Sequence, residues 1–510
     1  MLNPIHKEQG STRGERELRR LVETSFFGLW SYASVQRQIR SHGRLVAHEV
    51  VDLAVVFGND LVLFSEKDIA FSKHPDINVA WGRWFRESIS ESVTQLRGAA
   101  TKMTSGKHAL FLDTKCEHPL PFDLSRKGIR VHLVAICRNS AEAARNYFAK
   151  YESRDTVQSS TGTLTFHAGL REQDMRAQPF AVGDFDPSKT FVHVLDEESV
   201  QLLMTELDTG PDFLDYLKVR ERAVRKQSLR AFHGEEDFLS VYLQNEDERG
   251  FGGFSSPVQV TAVEMAPSLF VTEHMWTTHI ATSEYQVHRE VVRMARPWKE
   301  TIDEFSKAIL SATVAEGQDQ PFPIHERAIR MMASENRVSR AALARMFEGI
   351  FRIAHASAVT VRITKSLCSP SRLYIFLLHP RVEWHSTYEE YRQDRHSWMD
   401  LYARCVQVKF PEYSEIVVFA TDTKGTLIRS ESVVVVEACP DMPEEMRADT
   451  LKTMKEMEIF TGKNAPSRDA APPYVDIAVP EVQTSWTKSP GANEPCPCGS
   501  GKKYKKCCRA

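Results

Sequence analysis

Hydrophobic and polar positions follow two different periods along the first third of the chain. Apolar side chains recur at helical spacing on either side of a stretch in which two short β-prone runs flank the turn Gly58-Asn59-Asp60. The pattern predicts, in order, a helix at 13–27, a strand at 29–35, a β-hairpin over 47–67, an amphipathic helix at 80–103 and strands at 108–112 and 130–137. Helices and strands in this order predict an α/β sheet covered by helices.

The remainder of the chain changes composition several times. Helical patterns dominate the middle, strands and helices alternate again after it, and residues 461–495 hold six prolines and few large apolar side chains. We therefore predict a multidomain α/β protein with an α/β domain at 1–150, a helix-rich middle region at 151–357, a second α/β domain at 358–460, an extended Pro-rich linker at 461–494 and a small tail at 495–510.

The overall composition is that of an ordinary globular chain, with 42% apolar and 26% charged residues. No long uncharged apolar window is present and residues 1–20 are polar, so we predict neither a membrane span nor a signal peptide. Five cysteines are scattered without paired spacing, which is typical of a reducing compartment and predicts a cytoplasmic protein. Because the formal net charge is only −3, any contact with nucleic acid must come from a local basic patch.

Four cysteines lie within thirteen positions near residue 510: Cys496 and Cys498, then Cys507 and Cys508. Four soft thiolates make a closed tetrahedral zinc site. A segment this short has no hydrophobic core, whereas structural zinc contributes roughly 10 to 16 kcal/mol of apparent binding free energy in zinc-finger peptides. No coordination position would remain open, so we predict structural Zn²⁺. A redox or disulfide cluster is the alternative interpretation.

This tail, which reads P-C-P-C-G-S-G-K-K-Y-K-K-C-C-R-A, resembles the SEC-C motif found at the C-terminus of the bacterial preprotein translocase ATPase. The resemblance implies the same four cysteines as zinc ligands and favours a protein partner for the tail. Nucleic acid is an alternative partner, since five cations lie among the ligands. The chain has no G-x-x-x-x-G-K-[ST] phosphate loop, so the resemblance does not extend to a translocase ATPase body.

The order of the N-terminal elements and their polar residues resembles the PD-(D/E)xK nuclease family, whose core is restriction-endonuclease-like. In that family an acidic residue on the second strand and a (D/E)-x-K pattern on the third strand hold a divalent metal at a phosphodiester. The resemblance implies Asp52 as a metal ligand, Glu66 as the second carboxylate and Lys67 as the cation beside the attacking water, with Mg²⁺ as the metal. Glu15 or Glu17 on the first helix is an accessory candidate.

One position departs from the family pattern, because Ser65 stands where the family has an acidic residue. Adjacent strand residues point to opposite faces, so Glu66 and Lys67 share a face only if the strand has a bulge. Glu49 lies three positions before Asp52 and is predicted to face away from it. Two functions follow: a metal-dependent nuclease recruited by its zinc tail, or a non-enzymatic scaffold with a degenerate nuclease fold that binds protein or nucleic acid through that tail.

Overall fold

The structure is a computed structural model of the chain. It describes residues 2–42, 44–150, 163–226, 229–253, 269–314, 320–354, 356–383, 385–423, 430–437 and 442–460. The predicted linker at 461–494 and the predicted tail at 495–510 lie outside the described residues.

The described helices agree with most of the helical patterns. They are α1 Arg13–Trp30, α2 Ile77–Trp84, α3 Glu91–Thr104, α4 Ala141–Phe148, α5 Glu172–Ala177, α6 Glu197–Glu206, α7 Gly210–Arg225, α8 Glu235–Gln244, α9 Met275–His279, α10 Ser283–Leu310, α11 Phe322–Ala333, α12 Arg337–Ile353, α13 Tyr388–Lys409 and α14 Glu444–Glu456. A π-helical turn, Phe85–Ser90, joins α2 to α3. The predicted amphipathic helix at 80–103 is therefore confirmed as a continuous helical run.

The described strands form three sheets. They are β1 Ser31–Ser41, β2 Arg44–Phe57, β3 Asp60–Lys67, β4 Leu110–Phe111, β5 Arg130–Cys137, β6 Thr165–His167, β7 Ala181–Val182, β8 Val192–Leu195, β9 Leu229–Phe232, β10 Leu269–Val271, β11 Thr360–Lys365, β12 Arg372–His379, β13 Glu415–Asp422 and β14 Glu431–Glu437. Together with the helices they confirm a mixed α/β, multidomain chain.

The first sheet has six strands in the order β4-β1-β2-β3-β5-β8. The strands β1, β2 and β3 pair antiparallel, whereas β3, β5 and β8 pair parallel. Phe57 pairs with Asp60 across the short turn, which confirms the predicted hairpin. Since β8 comes from Val192–Leu195, the sheet draws on residues beyond 150, and the proposed division into domains stays a prediction.

The helices α1 and α3 cover opposite faces of this sheet. Neighbouring residues on a strand point to opposite faces. On β3, the Ser65 hydroxyl lies 3.4 Å from the hydroxyl of Ser92 on α3, whereas the Glu66 carboxylate packs against Gly14 on α1. The central strands are therefore buried on both faces, as a sheet between two helical layers requires.

The boundary between α1 and β1 differs from the predicted strand at 29–35. The helix α1 continues to Trp30, and β1 starts at Ser31. Leu29 and Trp30 are fully buried, and the Trp30 indole N–H donates to Glu326 Oε1 at 2.8 Å. A buried apolar pair satisfies either a strand or a final helical turn, so the sequence pattern did not separate the two.

The strands β1 and β2 continue beyond the rest of the sheet as a two-stranded ribbon. The short strand β4 pairs with β1 only at Gln36 and Arg37, and the pairing of β1 with β2 ends at Ser41 opposite Arg44. We call residues 36–49 the β1–β2 arm. The prediction that the strand ends at residue 35 was wrong, because residues 36–42 carry a single large apolar side chain, Ile39, and lack the apolar alternation that marks a half-buried strand.

The other two sheets lie later in the chain. The second has the order β10-β9-β6-β7 and the third the order β11-β12-β13-β14. In the third sheet β12 and β13 pair parallel, and each outer strand pairs antiparallel with its neighbour. Across the described residues, no helix combines the length and the apolar content that crossing a bilayer requires.

Candidate functional site

Asp52 lies where β2 and β3 diverge. Among the described residues the two strands pair only as far as Leu53 opposite Phe64, although β3 continues beside β5 to Lys67. Asp52 Oδ2 accepts a hydrogen bond from the Glu66 backbone N–H at 2.7 Å. The carboxylate satisfies a backbone donor that β2 no longer pairs with, which holds Asp52 at the point of divergence.

A β-bulge places Glu49 in the electrostatic environment of Asp52. The pairing of β1 with β2 shifts by one residue after the pair formed by Val35 and Val51, and Ser34 beside the shift has a positive φ of 50°. A bulge breaks the alternation of faces, so residues three apart can share a face. The prediction that Glu49 faces away from Asp52 was therefore wrong, because it assumed a regular strand.

Glu49 is exposed and Asp52 is half-buried, and the charged groups around them influence one another. Loss of solvation and the negative charges of Asp52 and Glu15 raise the pKa of Glu49 to about 7, against the opposing charge of Lys67. Burial likewise raises the pKa of Asp52, whereas the hydrogen bond from the Glu66 N–H and the positive charge of Lys67 lower it. We call Glu15, Glu49, Asp52 and Lys67 the β2 acidic cluster.

Glu66 belongs to a different set of contacts. Its carboxylate forms an ion pair with Arg138, and the side chain of Glu66 is only 5% exposed. Burial raises the pKa of Glu66, while the bond and the charge of Arg138 lower it. Arg138 also lies 4.0 Å from Glu17. The carboxylate of Glu66 is thus directed to Arg138 on the α1 side of the sheet, and the regular alternation along β3 separates it from Lys67.

Ser65, which stands at the acidic position of the nuclease pattern, is buried on the α3 side of the sheet. Its hydroxyl lies 3.4 Å from the Ser92 hydroxyl. A serine there contributes no negative charge, so Glu49 and Asp52 supply the principal carboxylates of the β2 acidic cluster. The sequence analysis placed Glu49 on the opposite face from Asp52, because no residue type in the strand indicates a bulge.

The donor set of the β2 acidic cluster is small. In the described part of the chain, no group of three or more His, Cys, Asp or Glu side chains is arranged to hold a metal ion. The β-bulge puts two carboxylates, Glu49 and Asp52, on one face of β2. Mg²⁺ is commonly held by one or two carboxylates together with waters and substrate phosphates, so this donor set fits such an ion in its chemistry.

We expect Glu49→Gln to stabilise the metal-free protein at pH 8 and to have little effect at pH 4. The pKa of Glu49 is raised from 4.5 to about 7, so the folded chain holds a proton that the unfolded chain releases between these values. Stability is therefore lost as the pH rises through that window, and the neutral amide avoids the loss. Thermal melting in a chelating buffer measures this.

Glu412→Gln is the matched control, because Glu412 is exposed and makes no ion pair within the described residues. It should leave the melting temperature unchanged at both pH values. A Glu49→Gln shift that is the same at pH 4 and at pH 8 would contradict the raised pKa of Glu49.

The four predicted zinc ligands, Cys496, Cys498, Cys507 and Cys508, lie outside the described residues. The SEC-C motif matches residues 493–510. This match confirms the resemblance seen in the tail and extends it by two residues toward the linker.

Relatives of the chain are similar to it over short segments. The protein translocase subunit SecA of Syntrophus aciditrophicus is 60% identical over 35 residues, which is 7% of this chain and 4% of that protein. The SecA subunit of Campylobacter fetus subsp. fetus is 35% identical over 68 residues, 13% of this chain and 8% of that protein. The SecA subunit of Helicobacter pylori strain Shi470 is 33% identical over 104 residues, which is 20% of this chain and 11% of that protein.

The chain thus spans about a tenth or less of the length of these relatives, and no solved structure matches it significantly. The likeness to these SecA subunits covers between 7% and 20% of this chain. What the comparisons establish is a module: this chain carries a SEC-C motif at residues 493–510.

Proposed function

We propose that the protein is a metal-dependent nuclease that its SEC-C tail recruits to a protein partner. The observation that carries the proposal is the grouping of two carboxyl groups, Glu49 and Asp52, with the ammonium of Lys67 at the divergence of β2 and β3. These residues lie on the second and third strands of a sheet between two helices, in the order that the PD-(D/E)xK resemblance implies.

Glu49 and Asp52 would hold the Mg²⁺ ion. When bound, the ion would lower the pKa of a coordinated water and neutralise charge on the scissile phosphate. The Glu66 N–H orients Asp52 at 2.7 Å. Lys67 adds a fixed positive charge beside the carboxylates, where it stabilises the additional negative charge of a phosphodiester under attack. Glu66 differs from the role that the resemblance implies, because Arg138 occupies its carboxylate.

The SEC-C tail would act as a tethered recruitment module. Its four cysteines suit structural Zn²⁺, and a small module on a Pro-rich tether raises the local concentration of the body near a partner without fixing its orientation. The relatives that share this segment are subunits of a protein translocase. Their name favours a protein as the partner of the tail over nucleic acid.

Cleavage of labelled DNA and RNA, single- and double-stranded, tests the enzyme directly. We expect cutting that requires Mg²⁺ and that falls at least about a hundredfold in Asp52→Asn, because losing one metal-directed carboxylate removes several kcal/mol of charge stabilisation. Lys67→Ala should also reduce the rate. Glu66→Gln is the matched control from the same strand, and its rate should stay within a few-fold of wild type.

A non-enzymatic scaffold with a degenerate nuclease fold is the second candidate. Ser65 at the acidic position favours it, as does the finding that three-ligand groups are missing from the described residues. A scaffold cuts none of the substrates with or without Mg²⁺. Equal cutting by the wild type and by Asp52→Asn would indicate a contaminating nuclease and would also reject the enzyme.

A further inference from the structure

We propose that the β1–β2 arm is a duplex-DNA-binding ribbon that delivers a double strand to the β2 acidic cluster. The inference rests on the proposed nuclease function, because it names the substrate class of that same site. The evidence from the arm is its charge, its exposure and its shape.

The arm is strongly basic in a chain that is slightly acidic overall. Residues 36–48 contain three arginines and two histidines and lack any aspartate or glutamate, while the whole chain has a net charge of −3. Arg40 and Arg44 are exposed, and neither forms an ion pair or a side-chain hydrogen bond within the described part of the chain. Cations without neighbouring carboxylates are available to phosphates, and binding through them releases condensed counterions.

This pattern differs from that of other arginines on the surface. On α10, Arg293 pairs with Glu290 and Arg296 pairs with Glu300 at 2.8 Å, although both arginines are more than two-thirds exposed. Charges balanced in this way attract a polyanion weakly. The arm is therefore a local positive feature of the kind that nucleic-acid contact requires in a chain without overall positive charge.

The shape of the arm matches the groove of a DNA duplex. Beyond Arg37 it is two antiparallel strands, with Ile39 opposite Val46 and Arg40 opposite Leu45. The major groove of B-form DNA is about 12 Å wide and admits a two-stranded β-ribbon. The major groove of A-form RNA is too deep and narrow for side chains to read, so the shape favours DNA over duplex RNA.

The arm is also placed to bring the duplex to the cluster. Glu49 is its last residue, and Arg40 lies opposite Leu45, which is four positions before Glu49 on the same face of β2. At about 3.3 Å per strand residue, Arg40 is roughly 13 Å along the ribbon from Glu49. Leu45 is 62% exposed, so the same face offers apolar surface to the groove. A duplex held by the arm would therefore place a neighbouring phosphodiester near Asp52.

The test is the binding of the full chain to a fluorescent 24-base-pair DNA duplex, measured by anisotropy in a chelating buffer at several salt concentrations. Arg40→Gln with Arg44→Gln is compared with Arg293→Gln with Arg296→Gln, which removes the same charge from exposed positions on α10. We expect the arm variant to bind roughly tenfold more weakly per arginine at 0.1 M salt. The slope of log binding constant against log salt concentration should fall in magnitude by about 2, since each phosphate contact contributes about 0.9. The α10 variant should bind as the wild type does.

Equal loss in both double variants would show that bulk charge drives binding and would overturn the proposal. So would an unchanged arm variant, or tighter binding to an RNA duplex of the same sequence. Binding is measured without metal, so it does not depend on cleavage. If the chain binds DNA through the arm but never cuts it, the nuclease function is rejected and the DNA-binding role of the arm is retained. If the chain cuts DNA with Mg²⁺ and the arm substitutions do not change the rate, the role of the arm is rejected and the nuclease function is retained. Thermal melting verifies that both double variants are folded.

Discussion

The purified chain is expected to carry one zinc ion, and Cys508→Ser is expected to remove it. Four thiolates close the coordination shell, so a hydroxyl in place of one of them leaves a three-ligand site without the core that could hold it together. Structural zinc in short peptides contributes roughly 10 to 16 kcal/mol of apparent binding free energy, which is the largest single effect expected in this protein. Elemental analysis after gel filtration in reducing buffer measures the ratio of zinc to protein.

Cys116→Ser is the matched control, because Cys116 is a half-buried free thiol in the α/β body. It should retain one zinc ion per chain. Because the tail is predicted to be tethered through a Pro-rich linker, Cys508→Ser should leave the melting temperature of the body unchanged. Zinc retained in full by Cys508→Ser, or none in the reduced wild type, would refute the zinc module.

Glu335→Gln is expected to lower the free energy of unfolding by about 3 to 5 kcal/mol, because it breaks a buried ion pair by removing one charge. Glu335 is completely buried between α11 and α12. One of its carboxylate oxygens accepts hydrogen bonds from Arg372 at 2.8 Å and from Tyr374 at 2.9 Å, both on β12. The carboxylate therefore fastens the two helices to the third sheet, and a neutral amide would leave the buried Arg372 without its principal counter-charge.

The protonation of Glu335 gives this prediction a pH signature. Burial by itself raises the pKa of Glu335, but the charge of Arg372 and hydrogen bonds from Cys368, Ser339 and Ser366 outweigh it and hold the pKa below the ordinary value of 4.5. A lowered pKa stabilises the fold above the ordinary value and loses that contribution as the pH falls through the native pKa. The difference between wild type and Glu335→Gln should therefore shrink in acid.

Glu415→Gln provides a control on the same arginine. Glu415 Oε2 lies 2.9 Å from Arg372 Nε, but the side chain of Glu415 is 28% exposed, so water can replace the lost interaction. Urea denaturation should show a loss of about 1 kcal/mol or less for this variant. Equal losses for Glu335→Gln and Glu415→Gln would show that burial does not set the strength of the pair.

Much of the N-terminal sheet could be predicted from local patterns, because its elements have strong periodicity and a clear turn. The hairpin through Gly58 and Asn59 and the strand Arg130–Cys137 occur where the pattern predicts them. The β1–β2 arm was missed for the opposite reason. Its strands are held by backbone pairing, and residues 36–42 carry only one large apolar side chain, so hydrophobic periodicity gives no strand signal there.

The β2 acidic cluster shows the same limit at the level of side chains. Asp52 and Lys67 were identified from their positions on neighbouring strands, and they do influence each other electrostatically. The sequence pattern assigns Glu66 as the second carboxylate from its place beside Lys67, but its partner, Arg138, is distant in sequence and follows β5 directly. Glu49 enters through a bulge, which depends on how β1 and β2 pair.

Four cysteines and two glycines within a short segment are enough to predict a metal site in the tail, and the SEC-C match confirms the motif. Local patterns were also enough to predict most elements of the N-terminal sheet, since periodicity is a local property. Which carboxylates lie at the divergence of β2 and β3, and that a basic ribbon extends from the same place, became visible only in the folded chain. Those outcomes depend on strand register and on partners far away in the chain, which local spacing does not encode.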